Sequence, residues 1–214
     1  MAVAAYGNYW LAVDKDRTDR WAISALPGFG WRAKIDKPTF QLRNIFESEL
    51  PRFMKEQYVN AFLFPATVVW GSELHTDLEF VGAMPRRDRK TMSDVCVLVR
   101  VTGDLVGWVS YELRKKDALR IVSAMIAERV YELDELGHSA LGEVANMITG
   151  NAATGLETAG YSCDLKPPEF LTGIGREFPP TPAEIQIRAD FRSSVGVLAV
   201  RIALGESRIG EIAA

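Results

Sequence analysis

From Met54 onward the apolar positions fall into regular periods. Val59, Phe62, Leu63, Ala66 and Trp70 recur at helical spacing, which predicts an amphipathic helix over residues 55–71 with Pro65 as a kink. Thr76–Ala83, Val95–Thr102 and Val106–Leu113 are rich in β-branched and aromatic residues and predict three strands, the last two joined by a hairpin turn at Gly103-Asp104. Ala118, Ile121, Val122 and Met125 mark a second helix over 115–128. A third and longer helix runs from about Glu132 to Ala159, where Gly160 is placed to end it. Strands then return. Asp164–Thr172 carries Pro167 and Pro168, which belong at an edge or bulge, and Pro179-Pro180-Thr181-Pro182 is a stiff connector. Glu184–Phe191 and Gly196–Leu204 form a closing hairpin. The order is helix, three strands, two helices, three strands. It predicts an α+β domain with helices packed on a largely antiparallel β-sheet.

Residues 1–53 follow no such pattern. Trp10, Trp21 and Trp31 stand among scattered charges, and no stretch holds a helix or strand period for long. Eight basic and six acidic residues give this segment +2, against −5 for residues 54–214. The segment reads as an N-terminal extension. It is either a poorly ordered docking tail or a stretch upstream of a natural start at Met54.

Composition changes the picture mainly by exclusion. Apolar residues are 48% and charged residues 25% of the 214, with a formal charge of −3, so nothing suggests disorder or a field that gathers nucleic acid. Cys96 and Cys163 are the only cysteines, and with His75 and His138 they show no metal-ligand spacing. A reducing cytoplasm fits this usage. The uncharged start Met1–Val13 lacks a cationic flank, and the uncharged run Gln57–Ser72 is short for a bilayer and holds Asn60 and Pro65, so no membrane span is expected.

The third helix carries the chemistry. At about 100° per residue from Leu141, the side chains of Val144, Ala145, Ile148, Ala152 and Leu156 fall within roughly 60° of one stripe. Ser139, Glu143, Asn146 and Gly150 gather on the far side, between about 140° and 200°. Glu143 and Asn146, three apart, share one turn and offer a carboxylate and a carboxamide to a common target. Gly142, Gly150 and Ala153 keep the neighbouring surface low, where a partner's backbone could approach. Polar residues on an outer face are ordinarily just solvated, and the pair alone says little. His138 turns toward the buried side and reads as a packed imidazole. Arg86-Arg87-Asp88-Arg89-Lys90 reads as a solvated loop, and Gly173-Ile174-Gly175 lacks the third glycine of a dinucleotide loop.

The whole string Ala140-Leu141-Gly142-Glu143-Val144-Ala145-Asn146-Met147-Ile148-Thr149-Gly150-Asn151-Ala152, followed by Gly160-Tyr161 and Pro167-Pro168, resembles the CheC/CheX/FliY family of chemotaxis phosphatases, the single-site CheX type most closely. The resemblance extends over about Met54 to Ala214, including Tyr58-Val59-Asn60-Ala61-Phe62 and the hairpin Val101–Gly107. The family signature of Asp or Ser, three residues, Glu, two residues, Asn is met by Ser139, Glu143 and Asn146. Its later proline corresponds to Pro168, one residue early.

The resemblance implies a CheX/CheC-like fold and hydrolysis of the aspartyl phosphate of a CheY-type response regulator. Glu143 and Asn146 would be the catalytic pair, and Ser139, Gly142 and Gly150 would line the partner surface. An acyl phosphate is already activated, so the task is to place a water in line with the leaving carboxylate. Asn146, which both donates and accepts, suits that role; Glu143 suits pairing with a regulator lysine. No intrinsic cofactor is implied, Mg²⁺ being expected on the partner regulator. A homodimer paired through the sheets is also implied, since strand edges are available. The alternative is a CheX-like module that binds a receiver or pairs with itself without hydrolysis.

Overall fold

The structure, a computed structural model, describes residues 2–6, 9–13, 21–25 and 54–207. The chain divides into two compact units, Met1–Phe40 and Gln41–Ala214. In the first, strands β1 (Ala2–Tyr6), β2 (Tyr9–Val13) and β3 (Trp21–Ala25) form an antiparallel sheet in sequence order. Each has five residues, too few to display a sustained alternation, so the sequence reading assigns none of them. The boundary read at residue 53 adjoins 26–53, which lie outside the described residues.

Among the described residues the second unit holds three helices and a seven-stranded sheet. The helices are α1 (Glu56–Leu74), α2 (Lys115–Met125) and α3 (Glu135–Thr158). The strands are β4 (Glu79–Arg86), β5 (Val95–Gly103), β6 (Leu105–Leu113), β7 (Cys163–Leu165), β8 (Glu169–Thr172), β9 (Gln186–Arg192) and β10 (Val197–Glu206). Their order is β4-β9-β10-β6-β5-β7, with β8 also on β5, and every pairing is antiparallel. The segment predicted as one strand, Asp164–Thr172, is therefore two. β7 pairs with Val101–Gly103 and β8 with Val95–Leu98; between them the Lys166 amide still donates to Arg100 O at 3.0 Å, and Pro167-Pro168 stands outside the ladder. A proline has no N–H to give, so the edge of β5 is filled in two pieces.

One sheet face is closed by the helices. Val97, Val99, Val109, Tyr111, Ile187, Phe191, Val200 and Ile202 alternate with residues of the other face, and all are buried. From α1, Phe62, Leu63, Ala66 and Trp70 reach the same interior. Pro65 lies inside α1, which continues past it to Leu74. The other face buries a smaller cluster of Cys96, Leu98, Trp108, Phe178, Ala183 and Ala203, closed by the segment after β8, whose Phe178 ring stacks on Trp108 at 4.3 Å.

Beside that cluster lies a feature absent from the sequence reading. The buried Glu112 carboxylate bridges two guanidiniums, Arg201 Nε at 2.8 Å and Arg188 Nη1 at 2.9 Å, residues directly opposite one another on β10 and β9. Ser93 and Ser110 hydroxyls donate to the same carboxylate at 3.3 Å. Asp88, 3.6 Å from Arg201 and 2.9 Å from Arg86, joins this network. Part of the basic run expected to be merely solvated thus has structural partners; Arg87, Arg89 and Lys90 are exposed.

Helix α3 is fixed at both ends. Asp134 caps its start, accepting from the Gly137 amide at 2.9 Å. At its end Gly160 adopts φ +92°, its amide donates to Glu157 O and that of Tyr161 to Leu156 O, both at 2.9 Å, a Schellman closure. Tyr161 then enters a clasp. Its hydroxyl accepts from Lys55 at 3.1 Å and Gln57 at 3.0 Å, while Glu206 at the end of β10 accepts from Tyr58 at 2.6 Å and pairs with Lys55 at 2.7 Å. Lys55, together with the Tyr58 hydroxyl, holds the Glu206 carboxyl below its ordinary range.

Candidate functional site

Helix α3 packs on α1 and α2 and lies over β5 and β7. Its inward stripe is the one that periodicity selects: Leu141, Val144, Ala145, Ile148, Ala152 and Leu156 are all buried. A helix anchored along that line must present its opposite line to the outside. Ser139, Glu143, Asn146 and Gly150 accordingly are exposed, as their shared face requires. Neither Glu143 nor Asn146 makes a hydrogen bond or ion pair with any described residue, so both side chains are free to engage an incoming molecule. Around Gly150 nothing lies within 4 Å of where a Cβ would stand, and the surface there is open.

Gly142 departs from the expectation. It is buried, and the Phe170 ring of β8 lies 3.8 Å from the position a Cβ would take. On the wheel it sits to one side of the outward stripe, and β8 covers that side. Phe170 covers it, so Gly142 is removed from the partner surface. His138 behaves as read: its Nδ1 lies 2.8 Å from Asp134 O and its ring stands edge-on to Phe170 at 4.8 Å, so the imidazole is engaged in packing the helix start. Phe170 is the residue that sequence reasoning missed here, and only its aromatic character in a predicted edge strand pointed to it. Pro168 stands in the break between β7 and β8.

Among the described residues no group of three or more His, Cys, Asp or Glu side chains is placed to hold a metal ion. The arrangement consists of one carboxylate and one carboxamide, a turn apart, on a rigid convex rod. Such a surface can be inserted into a partner's active site and can orient a water or fix a cation there. Among the described residues no base or nucleophile is hydrogen-bonded to the pair.

Comparison with known proteins gives the same direction. The family model described as "Chemotaxis phosphatase CheX" matches residues 95–190, a span that includes the whole of α3. A Thermotoga maritima protein, CheY-P phosphatase CheX, is 32% identical over 128 residues, covering 56% of this chain and 78% of the relative. The crystal structure of the chemotaxis protein CheX from Vibrio vulnificus superposes with a TM-score of 0.60 at 26% identity, covering 69% of this chain and 99% of that one. A CheC-like superfamily protein from Shewanella sp. PV-4 shares the fold with a TM-score of 0.64 at 24% identity, covering 71% of this chain and 99% of that one.

Proposed function

The chain belongs to the CheX family of chemotaxis phosphatases, and from that premise we propose that it hydrolyses the aspartyl phosphate of a CheY-type response regulator through the outward pair Glu143 and Asn146 of α3. The relative from Thermotoga maritima, named for that activity, supports the substrate. The observation that carries the residue assignment is the pairing of two exposed, uncommitted side chains one helical turn apart on a helix whose other side is buried.

The regulator's phosphoryl group is bonded to an aspartate carboxylate, a good leaving group. A water attacks phosphorus in line with that bond. The P–O bond to the aspartate breaks, the carboxylate takes the electron pair, and inorganic phosphate departs with the water's oxygen. Asn146 accepts a hydrogen bond from that water through Oδ1 and donates to a phosphoryl oxygen through Nδ2, which holds the attacking oxygen on the reaction axis. Glu143 pairs with a lysine of the regulator, and that charge-assisted bond sets the register of the helix in the partner's site. Ser139 and Gly150 extend the contact along the same stripe. Mg²⁺ would be held by the regulator's carboxylates and would offset charge on the phosphoryl oxygens; no residue of this chain is assigned to it.

We place the activity in the cytoplasm, together with its regulator. In support, no helix among the described residues is long and apolar enough to cross a membrane.

The test is phosphate loss from a phosphorylated CheY-type receiver, followed with and without the protein and with folded Glu143→Ala and Asn146→Ala variants. Acceleration by the native chain that disappears in both variants supports the assignment. Receiver binding with unaltered decay would identify a module that binds without hydrolysis.

A further inference from the structure

Beneath the outward pair, α3 meets the sheet through small and aliphatic side chains, and the contact leaves a cavity of about 20 Å³ lined by Tyr111, Leu141, Val144, Ala145 and Ile148 among others. Contacts of this kind resist separation, but they are not directional, so they oppose a small roll of the helix only weakly. A roll matters. Side-chain tips lie roughly 6 Å from a helix axis, so turning α3 by about 10° carries Glu143 and Asn146 sideways by about 1 Å. A displacement of about 1 Å at a reacting centre is enough to cost about a hundredfold in rate.

One directional contact stands in that interface. The Tyr111 hydroxyl of β6 is 2.7 Å from Thr149 Oγ1, and Thr149 Oγ1 donates to Ala145 O at 2.6 Å. Both side chains are buried, Thr149 at 0% and Tyr111 at 3% exposure. A threonine hydroxyl has one proton, and here it is given to Ala145 O, so the Tyr111 hydroxyl is the donor of the other bond. The relay therefore runs from Tyr111 through Thr149 to the backbone of Ala145, the residue next to Asn146, and Thr149 is one turn beyond Asn146. Thr149 keeps its bond to Ala145 O whatever the rotation of the helix, so it is the buried Tyr111 hydroxyl, whose partner is Thr149, that a roll would leave unbonded, and that cost ties α3 to one rotation.

We propose that Tyr111 and Thr149 are positioning residues for the phosphatase reaction, locking the rotation of α3 so that Glu143 and Asn146 reach the regulator's phosphoryl group in one fixed geometry. This rests on the proposed roles of those two residues. The variants are Tyr111→Phe and Thr149→Val, which break the relay while keeping size, and Thr149→Ser, which keeps the hydroxyl. With a phosphorylated receiver, Tyr111→Phe and Thr149→Val lower kcat about tenfold with KM changed less than about twofold, and Thr149→Ser retains most of the native rate. Tyr111→Phe at the native kcat, or Thr149→Ser falling as far as Thr149→Val, overturns the proposal. A second readout is independent of turnover: the side-chain amide resonance of Asn146 and amide exchange over residues 145–150. A shifted Asn146 resonance and faster exchange in Tyr111→Phe support the lock, and an unchanged spectrum overturns it. If the native chain does not accelerate phosphate loss, the phosphatase assignment falls, and this spectroscopic comparison still decides whether the relay fixes the helix.

Discussion

On the face of the sheet beneath the helices, burial joins Val97, Val109, Ile187 and Val200 to the apolar sides of α1, α2 and α3. On the other face it encloses the Glu112 carboxylate between Arg201 and Arg188, with Asp88 and Arg86 at the rim. The first arrangement is tolerant, because an aliphatic contact accepts many shapes at similar energy. The second is not, because each buried charge depends on every neighbour that compensates it. The proposed chemistry is attached to the tolerant face, on the far side of α3, while the demanding face has no part in it. Stability and activity should therefore respond to different substitutions.

The largest effect is expected on the ionic face. Arg201→Met leaves the Glu112 carboxylate buried with a lost partner and lowers unfolding free energy by about 3–5 kcal/mol in urea titration, whereas Arg201→Met with Glu112→Leu recovers much of it. The fraction that remains folded keeps its turnover; a fall in rate per folded molecule would dissolve the separation between the faces. Next comes Asn146→Ala, which lowers kcat about a hundredfold, or about 2.7 kcal/mol of transition-state stabilisation, with the thermal midpoint almost unmoved. A large loss of stability there would mean that the outward face also supports the fold.

The response to acid separates the faces further. The Arg86 guanidinium holds the Asp88 carboxyl below the ordinary carboxylate range. A depressed carboxylate adds stability that is present above its unfolded pKa and is lost as pH falls through the folded one. Asp88→Asn is accordingly less stable than the native chain near neutrality, and the gap closes as the medium is acidified through that range. Burial pushes the Tyr111 phenol up, so it stays protonated throughout and the Tyr111→Phe difference stays constant over the same titration. The smallest effect is Gly150→Ala, which gains about 0.8–1 kcal/mol from helix propensity because its Cβ meets nothing. The added methyl group raises the partner surface, so KM for the phosphorylated receiver increases while the fold tightens. Gly142→Ala, whose Cβ would make ordinary contact with Phe170 at 3.8 Å, gains similarly with no change in KM.

Much of the helix-covered face is legible in the sequence, because its rules are local. A period of 3.6 gives α3 as Glu132–Ala159 against an observed Glu135–Thr158, and the same wheel separates Leu141 and Ile148 from Glu143 and Asn146. The proposed roles of that pair come from the resemblance of the surrounding string, which periodicity cannot supply. What escapes the reading is non-local. Gly142 is covered because β8 returns to the edge of β5 and brings Phe170 across it. Glu112 and Arg201 look like solvent-facing positions of alternating strands until the segment after β8 folds over that face. The division of Asp164–Thr172 into two strands depends on which carbonyls of β5 remain to be paired, a fact outside the segment itself.

The contact of Lys55 with Glu206 at 2.7 Å brings the beginning of the first helix and the finish of the last strand to a common corner. Residues 54–207, whose two ends are neighbours, can be grafted as a piece into a surface loop of a host protein, or recut with fresh termini once a short tether joins Met54 to Ser207, without drawing any strand from its ladder. The same geometry lets a tethered sensor or scaffold be added at that corner while the working rod faces elsewhere.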